Sequence, residues 1–310
     1  MADGEKRAVV ALGGNAILSG DEGTAEEQRA VVEETARTVA DAVNAGYEVV
    51  VTHGNGPQVG ALMLQQEGAS DTPQMPLDVL VAETQAQIGY VLQQAIRNAT
   101  DMPSATVVTQ VVVDSDDNAF ENPTKPVGPW YTADEAREKP FETREVRGGH
   151  EARPYRRVVP SPEPLEVAEA DEIEHLVEKG VLVICAGGGG VPVVRDDSDE
   201  MRGVEAVVDK DRTSRLVAEH VDADLLVFLT DVEGAYVDYG TADERLLGRV
   251  AADELRAHLD AGEFGEGTML PKVEAALGFV ESNDDAKAVI TTPESFEDAL
   301  DGEAGTRLRS

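Results

Sequence analysis

The sequence predicts an α/β fold built on a mainly parallel sheet with both faces covered, and three observations predict it. Apolar runs of strand length alternate with stretches of helical periodicity along most of the 310 residues, the pattern of strands joined through crossover helices. Three of the runs end in glycine-rich turns, Gly13-Gly14, Gly54-Asn55-Gly56 and Gly187-Gly188-Gly189-Gly190, and open α/β sheets bind ligands off the carboxyl ends of their strands. No fixed-period repeat or low-complexity segment competes with this reading.

Taken in order, residues 8–12 read as a buried strand running into Gly13-Gly14-Asn15, and helical periodicity follows over 24–44. Residues 48–52 form a second strand whose turn opens a helix to about 66, a long helix covers 78–98, and the apolar run 105–113 is a third strand. Residues 114–164 break the rhythm with many prolines and mixed charges, which within a compact domain marks a functional lid or a small subdomain. The pattern resumes with a helix near 167–179, strands at 181–186 and 191–194, a helix over 212–220 and a strand at 225–230. Helices near 251–259 and 271–281 and a strand at 288–291 complete it.

Sixty-one acids against 26 bases give a net charge of −35. That balance excludes nucleic acid and anionic membrane as partners, since both need a basic face. The acids are spread along the whole chain, so we read them as a surface adapted to concentrated salt, where counterions screen the self-repulsion. The single cysteine, Cys185, lies inside an apolar run and reads as a small buried hydrophobe. Neither a signal-like segment nor an apolar run of membrane-spanning length is present, which leads us to expect a soluble, cytoplasmic protein.

Lysine is scarce, at seven residues, yet Lys125, Lys210 and Lys272 are kept in polar stretches marked by glycine or proline. In the segment Val208-Asp209-Lys210-Asp211 an apolar run turns polar just before a helix, making Asp211 the expected N-cap and placing Lys210 at the helix's positive end, a plausible phosphate site. Read alone, the stretch fits a solvated surface turn equally well. The third glycine after Gly54-Asn55-Gly56 is Gly60, one position late for a dinucleotide fingerprint. No phosphate-binding loop of the Gly-x-x-x-x-Gly-Lys type, metal-ligand spacing or Ser/His/Asp pattern is legible, and His53 reads as a structural histidine at a strand end. What remains, backbone amides and cationic side chains, suits phosphoryl transfer.

Eight ordered motifs carry a resemblance: Val10-Ala11-Leu12-Gly13-Gly14-Asn15-Ala16, Thr52-His53-Gly54-Asn55-Gly56-Pro57-Gln58-Val59-Gly60, Asn122-Pro123-Thr124-Lys125-Pro126-Val127-Gly128-Pro129, Tyr155-Arg156-Arg157-Val158-Val159-Pro160-Ser161-Pro162, Ala186-Gly187-Gly188-Gly189-Gly190-Val191-Pro192-Val193, Glu205-Ala206-Val207-Val208-Asp209-Lys210-Asp211, Thr230-Asp231-Val232-Glu233-Gly234-Ala235-Tyr236 and Gly267-Thr268-Met269-Leu270-Pro271-Lys272-Val273-Glu274-Ala275-Ala276. Together they resemble the carbamate kinases of the amino acid kinase superfamily.

The resemblance implies one three-layer αβα domain over residues 1–310. Residues 1–185 would form the acceptor-binding half, with 115–164 as a protruding lid subdomain within it, and 186–310 would form the nucleotide-binding half. It further implies reversible phosphoryl transfer between carbamoyl phosphate and ADP with Mg²⁺, giving ATP and carbamate, in a homodimer serving arginine degradation. Most of the superfamily has a lysine just before the first Gly-Gly, where this chain has Ala11-Leu12. Carbamate kinases share that departure and use a lid lysine, which maps to Lys125. Carried over residue by residue, Lys210 and Lys272 would hold the transferring group and Asp211 would orient them. Gly13, Gly14, Asn15, Gly54 and Asn55 would line the acceptor and phosphate pocket, with Asp231, Tyr236 and Met269 near the nucleotide. A kinase of a larger acceptor such as acetylglutamate, a non-catalytic sensor on the same fold and, more distantly, a dehydrogenase are the alternatives.

Overall fold

The computed structural model describes residues 6–14, 17, 24–69, 71–150, 152–265 and 268–309. In chain order its elements are β1 (Lys6–Leu12), α1 (Ala25–Asn44), β2 (Tyr47–His53), α2 (Gly56–Gly68), α3 (Leu77–Thr100), β3 (Ser104–Thr106), β4 (Gln110–Val113), β5 (Lys125–Tyr131), α4 (Ala133–Glu138), β6 (Thr143–His150), β7 (Arg153–Val159), β8 (Pro164–Val167), α5 (Ala170–Val177), β9 (Leu182–Cys185), β10 (Val191–Arg195), β11 (Met201–Gly203), α6 (Lys210–His220), β12 (Leu225–Leu229), β13 (Tyr236–Val237), β14 (Arg245–Leu246), β15 (Arg249–Ala251), α7 (Ala252–Asp260), α8 (Met269–Ser282), β16 (Lys287–Thr291), α9 (Phe296–Asp301) and β17 (Thr306–Arg309).

The main sheet has eight strands in the order β15-β17-β16-β12-β1-β2-β9-β3, parallel throughout except where β16 meets β17. Alternation along β1 divides the core. Val9 and Ala11 pack with α5, α6 and α8, whereas Ala8, Val10 and Leu12 pack with α1, α3 and α9. Successive side chains on a strand point to opposite faces, so near-continuous apolar strands are what two covered faces require. The expected three-layer αβα arrangement is thus the one observed. Among the described residues, no helix is long and apolar enough to cross a membrane.

The run 105–113, expected as one strand, is two strands in different sheets: β3 pairs with β9, whereas β4 pairs with β10 and β8 in a four-stranded sheet that had no counterpart in the sequence reading. The pairing with β9 ends at Thr106, with a last bond from the Val107 N–H to Ile184 O at 2.9 Å. Two residues on, Gln85 of α3 takes the backbone N–H of Thr109 at 2.7 Å and donates to the Thr109 carbonyl at 3.0 Å, which satisfies the backbone between the two strands. Residues 164–167, at the edge of the expected helix, form β8 of the same sheet. Residues 114–164 hold a three-stranded sheet, β5-β7-β6, and the short helix α4. Val127 and Val159 of this small subdomain pack onto Val59, Met63, Leu77, Leu80 and Val81 in a third apolar cluster, which seats it over α2 and the start of α3.

Candidate active site

The strands β1, β2 and β9 deliver all three glycine turns to the same end of the sheet, where a cleft of about 710 Å³ opens. Each turn is held by close backbone approach. The Gly13 N–H donates to Leu229 O at 3.1 Å and that of Gly54 to Leu12 O at 3.2 Å. A Cβ at Gly13 would stand 2.8 Å from the Leu229 carbonyl oxygen, so the crossing of β1 and β12 admits only glycine there. Gly189 has φ +87°, and a Cβ on it would lie 2.3 Å from the Val208 carbonyl oxygen, so this turn props up the segment that carries Lys210. Asn55 is buried and donates to Thr84 Oγ1 at 2.9 Å.

The helix start differs from the sequence expectation. Asp209, not Asp211, is the N-cap of α6, accepting from the Asp211 N–H at 2.9 Å. Its extended backbone suits the cap, and Asp211 falls at the second position of the helix, where its side chain turns to Lys210 and Lys272. Lys210 is consequently the first helical residue, at the positive end of α6. Its Nζ is hydrogen-bonded to Asp211 Oδ1. Lys272, projecting from the first turns of α8, donates to Asp211 Oδ2 at 3.0 Å and to Thr268 O at 3.1 Å. Asp211 is 4% exposed and Lys272 5%. One buried carboxylate therefore holds two ammonium groups from different helices. Burial, and then the charge of Lys210, lower the pKa of Lys272 against the opposing pull of Asp211.

Lys125 enters from β5 and pairs with Asp209 Oδ2 at 3.0 Å. Burial works to raise the Asp209 pKa, but Lys125, Lys210 and the Asp211 N–H outweigh it, so the carboxyl sits below its ordinary value. Asp209 thus joins the small subdomain to the helix bearing Lys210. The cleft continues past β1 toward Thr230 and Asp231 at the end of β12 and Thr292 after β16. Asp231 accepts from its neighbour Thr230 Oγ1 at 3.1 Å. His53 is fully buried with Nδ1 against Gly54 O at 2.9 Å, and burial takes its pKa down to about 4. It is a neutral structural residue, as expected.

Of the residues singled out from the sequence, Gly13, Gly14, Gly54, Asn55, Lys125, Lys210, Asp211, Asp231 and Lys272 all line this one cleft. Asn15 lies outside the described residues. Tyr236 and Met269 are not among the described residues that line it. Tyr236 directs its hydroxyl to Glu233, and Met269 packs against the core cluster beneath α8. Asp209 and Arg156 line the cleft without having been singled out. For Asp209 the available signal was its position just before the helix; for Arg156 nothing local separates it from Arg157.

Among the described residues, no group of three or more His, Cys, Asp and Glu side chains is placed to hold a metal ion. The Asp231 carboxylate beside the Thr230 hydroxyl, at the end of β12, fits a hard cation that keeps most of its coordination for water and for the oxygens of a bound anion.

The profile of the Amino acid kinase family matches residues 6–292. The chain belongs to the amino acid kinase family. Within it, the similarity is to carbamate kinases. A carbamate kinase of Halobacterium salinarum is 53% identical over 300 residues, covering 97% of either chain. One from Thermococcus kodakarensis is 48% identical over 317 residues, covering 98% of this chain and 99% of its own. The structure of a carbamate kinase from Giardia lamblia bound to AMP-PNP superposes with a TM-score of 0.91 at 42% identity, covering 99% of both chains.

Proposed function

We propose that the chain is a carbamate kinase, transferring a phosphoryl group reversibly between carbamoyl phosphate and ADP to give ATP and carbamate. The observation that carries this reading is Asp211 gripping Lys210 and Lys272 inside a cleft walled by glycine turns. Phosphoryl transfer asks a protein mainly to bring two anions together and to neutralise the charge between them. Here the bond from phosphorus to the carbamoyl oxygen breaks as the bond to the β-phosphate oxygen of ADP forms. The leaving carbamate is already an anion, so no general base has to act, which agrees with a neutral, buried His53.

The residues divide the task by position. Lys210 and Lys272, fixed by Asp211, stabilise the transferring group from below, and Lys125 closes on it from the small subdomain. The amides of the glycine turns at Gly13, Gly14 and Gly54 approach the phosphate oxygens without side chains in the way. The sheet order β16-β12-β1-β2-β9 sets Asp231 and Thr292 on one side of β1 and Gly54 to Gly56 on the other. The first side takes the nucleotide and the second the carbamoyl phosphate. Mg²⁺ entering with the nucleotide would neutralise its phosphate oxygens, with Asp231 as a carboxylate that would help hold it. Tyr236 and Met269 keep a place in this reading as residues beyond the nucleotide side. We further propose a homodimer working in the cytoplasm at high salt in arginine degradation, a setting supported by the resemblance and by the acidic surface.

The test is ATP formation from ADP, Mg²⁺ and carbamoyl phosphate in concentrated KCl, with acetyl phosphate and acetylglutamyl phosphate as parallel donors. Turnover confined to carbamoyl phosphate is expected; none from demonstrably folded protein overturns the assignment.

A further inference from the structure

Four cationic side chains line the cleft, and three of them are paired with an aspartate: Lys125 with Asp209, and Lys210 and Lys272 sharing Asp211. Arg156 is the fourth. Among the described residues it has no carboxylate partner, in a chain whose net charge is −35. Its neighbour Arg157, one step along the same strand, is paired to Glu205 at 2.7 Å. Strand alternation turns the two in opposite directions.

The guanidinium of Arg156 is held in place by neutral groups. Nε and Nη2 both donate to Gly128 O, at 3.0 and 2.8 Å, and the group lies over the Trp130 ring, 5.0 Å from its centroid. That carbonyl is available because the register of β5 against β7 shifts between Val127 and Tyr131. Gly128 adopts φ +74° at the shift, where a Cβ would lie 2.8 Å from the Met63 side chain. Bulges of this kind re-aim side chains beside functional sites. Nη1 makes no hydrogen bond among the described residues. A half-buried cation fixed by a carbonyl and a ring, with donors left over, is arranged to receive an anion. Gly128, whose carbonyl holds the guanidinium, lies against Gly60 and Met63 of α2, the helix that opens directly after the Gly54 turn. Arg156 is therefore tied to the element on the Gly54 side of β1, whereas Asp231 and Thr292 follow β12 and β16 on the other side.

We propose that Arg156 binds the small anionic substrate, the acyl phosphate in one direction and the carbamate carboxylate in the other, and not the nucleotide. This rests on the phosphoryl-transfer reading above and adds to it the residue that recognises the acceptor. A planar fork matches a carboxylate or phosphate edge in a way that a lysine cannot.

The test compares wild type, Arg156→Gln and Arg156→Lys at one fixed KCl concentration. Loss of a charged hydrogen bond predicts that Arg156→Gln raises the KM for carbamoyl phosphate by about 10- to 100-fold, with the KM for ADP unchanged within about twofold. Arg156→Lys, which keeps the charge without the fork, falls between the two. Inorganic phosphate as an inhibitor competitive with carbamoyl phosphate weakens in parallel. A role confined to propping Gly128 would leave phosphate inhibition untouched, and that result overturns the proposal, as does an equal rise in both KM values. If wild type fails to turn over carbamoyl phosphate, the functional reading fails on its own. Stabilisation of the folded protein against heat by inorganic phosphate, present in wild type and lost in Arg156→Gln, still decides whether Arg156 receives an anion; equal stabilisation of both sinks it. Should Arg156→Gln not fold, the same comparison is read from Arg156→Lys.

Discussion

Asp211 accepts from two ammonium groups that arrive on separate helices, so removing any member of the trio exposes the others. Lys210→Ala is expected to lower turnover by about 10²- to 10³-fold, the loss typical of a preorganised charge-stabilising donor, while the chain stays folded by circular dichroism. Lys272 sets a pH dependence with two signs. Its pKa lies below the ordinary lysine value, through burial first and Lys210 second. Turnover needs the ammonium, so it falls as pH rises through that lowered value. Stability moves oppositely. Between the lowered value and about 10.4, the unfolded chain holds a proton that the folded chain has released, so the residue's contribution to stability grows with pH across that window. A pH profile of kcat beside one of melting temperature checks both signs, and in Lys272→Arg the basic limb of the kcat profile is expected to disappear because a guanidinium stays charged.

At the scale of elements, Asp209 does two jobs with one carboxylate: Oδ1 caps α6 and Oδ2 holds Lys125. Asparagine caps a helix as well as aspartate does, whereas alanine forfeits about 1 kcal/mol. Asp209→Asn should therefore melt like wild type and still lose turnover severalfold, because Lys125 is no longer held by an ion pair. In a Lys125→Ala background the same change should alter turnover no further, and a further drop would detach the two residues. The strands and glycine turns around this helix were legible because apolar periodicity and glycine are local signals. The division of residues 105–113 was not, since the backbone between its two strands is satisfied by Gln85, distant in sequence on α3. Nor was the β5-β7-β6 sheet, whose proline-broken strands carry no clean alternation. The cap position was missed for a narrower reason: two aspartates flank Lys210, and only the backbone angles choose between them.

For the whole molecule the dominant quantity is the charge of −35, against which salt bridges such as Arg7 to Glu48 and Arg195 to Glu166 are modest offsets. Repulsion of that size opposes compaction unless ions screen it over about 10 Å at 0.1 M and about 3 Å at 1 M. The far-ultraviolet circular dichroism signal should accordingly collapse in a cooperative transition as KCl is dialysed away, and a fold indifferent to salt would refute the reading of the acidic surface. The same transition has a built-in clock. Cys185 is the sole thiol of the chain, buried at the end of β9 with its pKa pushed up to about 12 by burial. A thiol reagent finds no reactive thiolate until the central sheet opens. Its rate of reaction therefore times rare opening events in the native state, with no probe engineered in, well before any spectroscopic change is large enough to see.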